Sequence, residues 1–168
     1  MFGNLLSIRD VDIIVHQVNC LCVKAHGLSQ KIALKYPWAD IYATRQRDGD
    51  RNLAVVEDRG TPGTITVFKS PKLFYPDVVC FLSQWDFGTV ERQYRKIPPY
   101  RDTRENRQKW FYQCLQQLKA LHVKTVGIPY QIGCGLGGGD WTTYFEIIKH
   151  FAEESKIEFI ILRPHFST

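Results

Sequence analysis

The 168-residue sequence lacks the features that mark membrane, disordered and repetitive chains. No apolar run approaches the roughly 20 residues that a membrane-spanning helix needs, so we expect no transmembrane segment and no membrane partner. The first residues lack a basic region and a long apolar stretch, which predicts that no secretory signal is present. Internal repeats, low-complexity tracts and linkers are also missing, and the length suits a single domain over residues 1–168.

Cysteine is scarce, and its spacing does not indicate a metal site. The five cysteines are Cys20, Cys22, Cys80, Cys114 and Cys134. An odd count, mostly in or beside apolar runs, favours reduced thiols in a cytosolic or nuclear protein over a disulfide framework. Cys20 and Cys22 form a C-x-C unit without a second pair, so we expect no metal ligands and no cofactor.

The residues that are abundant indicate a folded chain with a basic segment. Hydrophobic side chains make up 44% of the sequence and 22 residues are aromatic (10 Phe, 8 Tyr, 4 Trp), which excludes a disordered chain. The formal net charge is +5, and seven cations lie in the segment 92–109, from Arg92 to Lys109. We call this stretch the basic segment. It predicts either a patch for an anionic partner or a solvated loop and helix face.

Strand and helix patterns alternate along the chain. Apolar, β-branched runs predict strands at 12–15, 64–68, 78–82, 125–128 and 157–162. Helical spacing predicts helices at 28–36, 39–47, 103–121 and 142–154, the third with Thr103 as its N-cap. Such alternation is typical of an α/β domain with a largely parallel or mixed sheet and helices on both faces.

A glycine-rich loop is the densest functional signal. Residues 133–139 contain five glycines in seven residues, between a predicted strand and a predicted helix. Glycines let backbone N–H groups approach an anion, so the loop is typical of a phosphate or pyrophosphate cradle. It lacks the Gly-Lys-Ser/Thr ending of a Walker loop and the spacing of the dinucleotide fingerprint. A flexible turn is the competing interpretation.

The end of the first strand is the second signal. His16 and Asn19 stand there, and His26-Gly27 begins the following helix. In open α/β sheets ligands bind beyond the carboxyl ends of strands. We therefore expect this loop and the glycine-rich loop to face each other across one crevice.

Three segments resemble the macrodomain family, which binds ADP-ribose. Residues 3–6 resemble its opening Gly-Asp-Ile element, residues 12–27 its first ribose-contacting loop, and residues 128–141 its second phosphate loop. The nearest resemblance is to the branch of the terminal ADP-ribose–protein glycohydrolase, the yeast-type ADP-ribose-1''-phosphate phosphatase and their phage relatives. It implies a three-layer α/β/α macrodomain with a mixed, largely parallel central sheet.

The resemblance also implies a ligand-binding set and two departures from the family pattern. The predicted ligand-binding residues are Asn4, Leu5, Asn19, Cys20, Gly27, Gln84, Trp85, Phe87, Gly133, Cys134, Gly135, Leu136 and Gly137. The glycohydrolase branch has a lysine and an aspartate where Gln84 and Gly137 stand, so its lysine-dependent mechanism should be absent. The family's adenine-reading aspartate is replaced by Asn4, whose amide can still accept from the adenine amine.

Three residues are candidates for catalysis. Asp140 would act as general base or water holder, or instead cap the following helix. His16 would donate a proton to the leaving oxygen, or instead lie bonded in the core. His26 is the second histidine candidate.

Three functions follow from these residues. The first is hydrolysis of ADP-ribose-1''-phosphate or of an ADP-ribosylated protein or nucleic acid. The alternative is a catalytically silent ADP-ribose reader, which the missing lysine and aspartate favour. A weaker alternative is nucleic-acid binding through the basic segment.

Overall fold

The structure, a computed structural model, describes residues 4–93 and 95–163, so Gly3 of the predicted opening element lies outside the described residues. The strands are β1 (Ile13–Asn19), β2 (Thr64–Phe68), β3 (Asp77–Gln84), β4 (Thr125–Pro129) and β5 (Glu158–Leu162). They form one sheet in the order β2-β3-β1-β4-β5. Four strands run parallel, and β2 pairs antiparallel with β3 at one edge.

The central strands are apolar because both of their faces are covered. Ile13, Ile14 and Val15 of β1 are at most 2% exposed, and β3 is buried from Val78 to its end. A parallel sheet covered on both faces requires such near-continuous apolar runs. This is why the sequence predicts these strands correctly without any alternation of polar residues.

Helices cover the two faces of the sheet. The helices are α1 (Gly27–Lys35), α2 (Arg104–Gln117) and α3 (Trp141–Ser155). Phe111 of α2 and Tyr144 of α3 pack in one core cluster with Val15, whereas Ile32 of α1 packs with Ile14 in another. Successive strand residues point to opposite faces, so α1 lies across the sheet from α2 and α3. The predicted three-layer α/β/α architecture is confirmed.

Most predicted elements are confirmed, and one is wrong. Thr103 caps α2 by accepting a hydrogen bond from Asn106 N at 3.0 Å, as predicted. The helix predicted over residues 39–47 is absent and only a 3-10 turn, Tyr42–Thr44, forms there. The chain leaves the turn because its backbone pairs instead with residues 53–55, through a bridge between Arg47 and Ala54.

Two chain-wide properties bear on function. Within the part of the chain that the structure describes, no helix is both long and apolar enough to cross a membrane. All five cysteines carry free thiols, and four of them are buried.

Candidate ligand-binding crevice

A crevice lies at the carboxyl ends of the parallel strands, where α/β sheets bind ligands. One part, of 470 Å³, lies between the loop after β4 and the start of α1, and we call it the glycine lobe. The other part, of 540 Å³, lies between the loops that follow β1 and β3, and we call it the basic lobe. The two lobes share the lining residues Gln17, His26, Ser29, Gln84 and Leu136.

The glycine-rich loop is shaped by backbone contacts that exclude side chains. Gly133 has φ +76°, a conformation that L side chains rarely adopt. A Cβ atom on Gly137 would lie 2.8 Å from the Gly133 carbonyl oxygen and 3.2 Å from Gln84 Oε1. Glycine is therefore required at both positions, for conformation at one and for space at the other.

The loop's hydrogen bonds leave a set of N–H donors available. Gly139 N donates back to the Gly133 carbonyl oxygen at 2.9 Å, which closes the loop. Among residues 4–93 and 95–163, no acceptor takes the N–H groups of Gly135, Leu136 and Gly137. Three unpaired backbone donors in succession are typical of an anion-binding concavity.

The start of α1 faces this loop from the other side of the glycine lobe. Gly27 and Leu28, in its first turn, line the lobe. A Cβ atom on Gly27 would lie 3.0 Å from Leu136 Cδ1, so the two walls approach closely. The first N–H groups of a helix have no internal partner and carry partial positive charge. Two opposed sets of N–H donors thus flank the lobe, an arrangement that suits a pyrophosphate.

The floor of the crevice is a chain of neutral amides. Ser83 Oγ donates to Gln17 Oε1 at 2.8 Å, and Gln17 Nε2 donates to Gln84 Oε1 at 2.7 Å. Gln84 Nε2 then donates to the backbone oxygens of Asp86 and Gly88, at 2.7 and 3.2 Å. Both protons of the Gln84 amide nitrogen are engaged, so this side chain is held in one orientation. A neutral amide also cannot act as an acid or a base in the crevice.

The basic lobe is built from side chains. Asp86 and Arg95 form a buried bidentate ion pair with two contacts of 2.7 Å, and the Arg95 guanidinium lies 4.9 Å from the centre of the Phe87 ring. Lys24 and Arg92 also line this lobe, and no described carboxylate pairs with either. The lobe therefore combines one half-exposed aromatic ring with two free cations.

Of the predicted catalytic residues, His16 lies outside the crevice. It is 2% exposed, with Nδ1 3.0 Å from Ser29 Oγ and Nε2 3.3 Å from Cys80 Sγ. Burial lowers the pKa of His16 to about 4, so the ring is neutral at pH 7. Its position corrects the expectation of a proton donor, because the ring reaches the crevice only through Ser29.

The other two catalytic candidates differ in position. Asp140 is the N-cap residue of α3, and its carboxylate accepts from Thr143 Oγ1 at 2.8 Å. It lines a small cavity behind the glycine-rich loop and neither lobe of the crevice, and its catalytic role stays a prediction. His26 is exposed and lines both lobes.

The predicted ligand-binding residues divide into two groups. Those that line the crevice are Asn19, Gly27, Gln84, Phe87, Gly133, Gly135, Leu136 and Gly137. Those that do not line it are Asn4, Leu5, Cys20, Trp85 and Cys134. The strand end and the two loops therefore come together as expected, and individual side chains in them point elsewhere.

The residues outside the crevice are engaged in the core or in local turns. Leu5 and Cys20 are fully buried, and burial raises the pKa of the Cys20 thiol to about 12. Trp85 is 3% exposed and donates through Nε1 to the Ile97 carbonyl oxygen. Asn4 Oδ1 accepts from Leu6 N, and Cys134 Sγ donates to the Ile132 carbonyl oxygen. These contacts turn the five side chains away from the two lobes, and a role for these residues in ligand binding stays a prediction.

The sequence reasoning missed several lining residues, among them Gln17, Ser29, Tyr42, Lys24 and Arg163. Gln17 carried a signal, since it is a polar residue inside an apolar strand, two positions before Asn19. The other four give no such signal, because their place in the crevice depends on loop packing.

Ion pairing neutralises part of the basic segment. Arg95 pairs with Asp86, Arg104 with Glu91, and Arg107 with Asp102. The segment therefore offers less free positive charge to an anionic partner than its sequence predicts. In the described ranges of the chain, no group of three or more His, Cys, Asp or Glu residues is placed to hold a metal ion.

This chain is similar to known proteins in its three-dimensional structure. No protein-family model matches the sequence, and no curated protein matches it. The macrodomain of Mycobacterium tuberculosis DarG has a TM-score of 0.69 and 19% identity, over 98% of this chain and 99% of that one.

Two further similar structures hold ADP-ribose. Thermosipho africanus DarTG in complex with ADP-ribose has a TM-score of 0.62 and 17% identity, over 99% of this chain and 41% of that one. A mutant Oceanobacillus iheyensis macrodomain with ADPR has a TM-score of 0.59 and 12% identity, over 99% and 83% of the two chains. With its five-stranded mixed sheet between helical layers, this chain has the macrodomain fold that its sequence predicts.

Proposed function

We propose that this chain binds ADP-ribose, or an ADP-ribosyl group on a larger molecule, in the crevice. The observation that carries the proposal is the glycine lobe, where free N–H groups of the glycine-rich loop oppose the start of α1. This arrangement fits a pyrophosphate, whose charge backbone amides can hold without a cationic side chain. The ADP-ribose in two structures of the same fold supports the choice of ligand.

The proposed ligand spans both lobes with its pyrophosphate between the two loops. Asn19, fixed because its Oδ1 accepts from the N–H groups of Leu21 and Cys22, would contact the distal ribose in the basic lobe. The adenine would then lie toward Tyr130 and Arg163, at the opposite end of the glycine lobe. The Arg163 guanidinium lies 4.7 Å from the centre of the Tyr130 ring, and such a pair offers a flat surface to a base.

Calorimetric titration tests the proposal. Wild-type protein titrated with ADP-ribose should show saturable 1:1 binding, whereas ribose-5-phosphate, which lacks the pyrophosphate, should bind more weakly. Absence of detectable heat with ADP-ribose, confirmed by the absence of amide shifts in NMR spectra, would overturn the proposal.

Hydrolysis of the bound group is a second candidate, and one observation favours it. His26 is exposed where the two lobes meet, beside the proposed site of the distal ribose, and its ring has no hydrogen-bond partner among the described residues. An imidazole in this place can donate a proton to the leaving oxygen or accept one from the attacking water. The neutral amide floor favours the silent reader, because the crevice floor supplies no carboxylate or lysine.

Incubation with ADP-ribose-1''-phosphate and with mono-ADP-ribosylated protein separates the two candidates. Release of phosphate or ADP-ribose by the wild type, abolished in His26→Ala with ADP-ribose affinity retained, would support hydrolysis. Binding without turnover of either substrate would support the reader and exclude hydrolysis of these linkages.

A further inference from the structure

Arg107 of α2 is almost fully buried behind the crevice, with 3% of its surface exposed. Its guanidinium makes five hydrogen bonds. Nε and Nη2 donate to the two carboxylate oxygens of Asp102 at 2.7 and 2.8 Å. This bidentate pair holds the plane of the guanidinium fixed, so its remaining N–H groups point in defined directions.

Those remaining N–H groups reach two different loops. Nη1 donates to the carbonyl oxygens of Gly88 and Gly137, at 2.9 and 3.0 Å. Nη2 also donates to the carbonyl oxygen of Asp86 at 3.2 Å. Gly88 and Asp86 belong to the wall that follows β3, and Gly137 belongs to the glycine-rich loop. One side chain thus joins the two walls from the side that faces away from the ligand.

The loop after β3 is also held by hydrogen bonds from other residues. Gln84, on the floor of the crevice, donates to the Asp86 and Gly88 carbonyl oxygens. The Asp102 carboxylate also accepts from Asp86 N at 2.9 Å and from Gln93 Nε2 at 2.6 Å. The loop after β3 is therefore fixed by several partners, whereas Arg107 supplies the side-chain bond to Gly137 of the glycine-rich loop.

We infer that Arg107 is a positioning residue that aligns the N–H donors of the glycine-rich loop on a pyrophosphate held in the glycine lobe. The inference rests on the proposed function. Gly137 both supplies one of the three free N–H groups and accepts the bond from Arg107, so a shift of its carbonyl oxygen turns the neighbouring peptide planes. Preorganised donors increase affinity because their ordering is complete before the ligand arrives.

Replacing Arg107 by lysine keeps the positive charge and removes the planar guanidinium, so it tests whether the hydrogen-bond geometry matters. The ammonium of Arg107→Lys can pair with Asp102, but a compact group on a flexible stem cannot also hold the Gly88 and Gly137 oxygens in a fixed plane. The expected result is an ADP-ribose affinity reduced by about tenfold or more, with most of the thermal stability retained. Arg107→Gln should weaken binding at least as much and lower the melting temperature further, because the Asp102 carboxylate loses its cation.

A matched control distinguishes positioning from a general loss of stability. Ile148→Ala opens a cavity in the core cluster under α3 at a residue that belongs to neither loop and does not line the crevice. It should lower the melting temperature and leave ADP-ribose affinity close to wild type. In NMR spectra of the Arg107→Lys protein, the amide signals of residues 135–137 should lose the large ADP-ribose-induced shifts of the wild type.

The outcomes keep the two proposals apart. If the wild type does not bind ADP-ribose, the proposed function fails. If the wild type binds and Arg107→Lys binds equally well, or if affinity falls only in proportion to stability across the Arg107 and Ile148 variants, the role of Arg107 is refuted. A selective loss of affinity in Arg107→Lys, with unchanged amide shifts outside the two loops, supports it.

Discussion

The two lobes of the crevice are built from different parts of the chain. The glycine lobe presents backbone N–H groups from a loop in which Gly133 and Gly137 leave no room or no conformation for a side chain. The basic lobe presents side chains, including a largely buried ion pair, an aromatic ring and two cations without a carboxylate partner among the described residues. Backbone donors depend on the exact path of the loop, whereas side-chain cations act at a distance and are screened by salt. The lobes should therefore respond to different changes.

The largest effect on ADP-ribose affinity is expected from Gly137→Ala, which distorts the loop that lines the glycine lobe. The added Cβ atom would meet the Gly133 carbonyl oxygen at 2.8 Å, so the loop must shift. A strain of about 2 kcal/mol corresponds to a roughly 30-fold loss of ADP-ribose affinity. Calorimetry measures it, with Gly135→Ala as the matched control, because a Cβ atom there has no neighbour within 4 Å. Equal affinities in the two variants would contradict the proposal that the backbone of the glycine-rich loop holds the ligand.

A smaller, salt-dependent effect is expected in the basic lobe. Replacing Lys24 and Arg92 together by alanine should weaken binding of ADP-ribose-1''-phosphate by about fivefold at low salt, since each exposed cation contributes under about 1 kcal/mol. Unphosphorylated ADP-ribose should lose less, and both differences should shrink at high ionic strength. Lys109→Ala, an exposed cation of the basic segment away from the crevice, serves as the control. A loss of affinity that does not depend on salt would contradict an electrostatic contribution of these two cations.

A pH-dependent effect on stability is expected from the buried His16. The folded-state pKa of His16 is about 4, below the ordinary value of 6.5, because burial disfavours the charged ring. The stability this histidine contributes is fully present above pH 6.5 and is lost as the pH falls from 6.5 toward 4, since only the unfolded chain gains the proton in that range.

Denaturant unfolding at several pH values checks this expectation. The free energy of unfolding of the wild type should decline across that window, and His16→Gln should show a shallower decline. A wild-type slope in the His16 variant would assign the pH dependence to other groups.

The smallest effect on binding is expected from His26. Its ring is exposed and makes no hydrogen bond among the described residues, so His26→Ala should change ADP-ribose affinity by less than about twofold. A turnover assay on the same protein reports separately on proton transfer. A large loss of affinity would show that the ring holds the ligand.

The sequence predicts the backbone features of this protein well and its side-chain placements only in part. Five glycines in seven residues identify the loop after β4 in the sequence, because its backbone path itself requires residues without a side chain. His16 and Gln17 are neighbours in β1, and the sequence does not say which of them faces the crevice. Gln17 joins its floor, whereas His16 turns into the core between Ser29 and Cys80.

The basic segment shows the same limit for its charged side chains. Its cations are visible in the sequence, and their partners are not. Arg95 pairs with Asp86 and Arg107 with Asp102, each within the same stretch of chain. Arg107 also reaches Gly137, because the glycine-rich loop packs against the start of α2. The count of cations therefore predicts a broader positively charged surface than the structure retains.

By itself the sequence determined the α/β architecture and the position of a glycine-rich loop after β4. Both follow from local causes, since buried parallel strands need apolar runs and close backbone approach needs glycine. The tertiary structure alone decided which polar side chains line the crevice, that a neutral amide chain forms its floor, and that Arg107 ties its walls together. These depend on hydrogen bonds between residues 19 to 67 positions apart, which only the packed fold brings within reach.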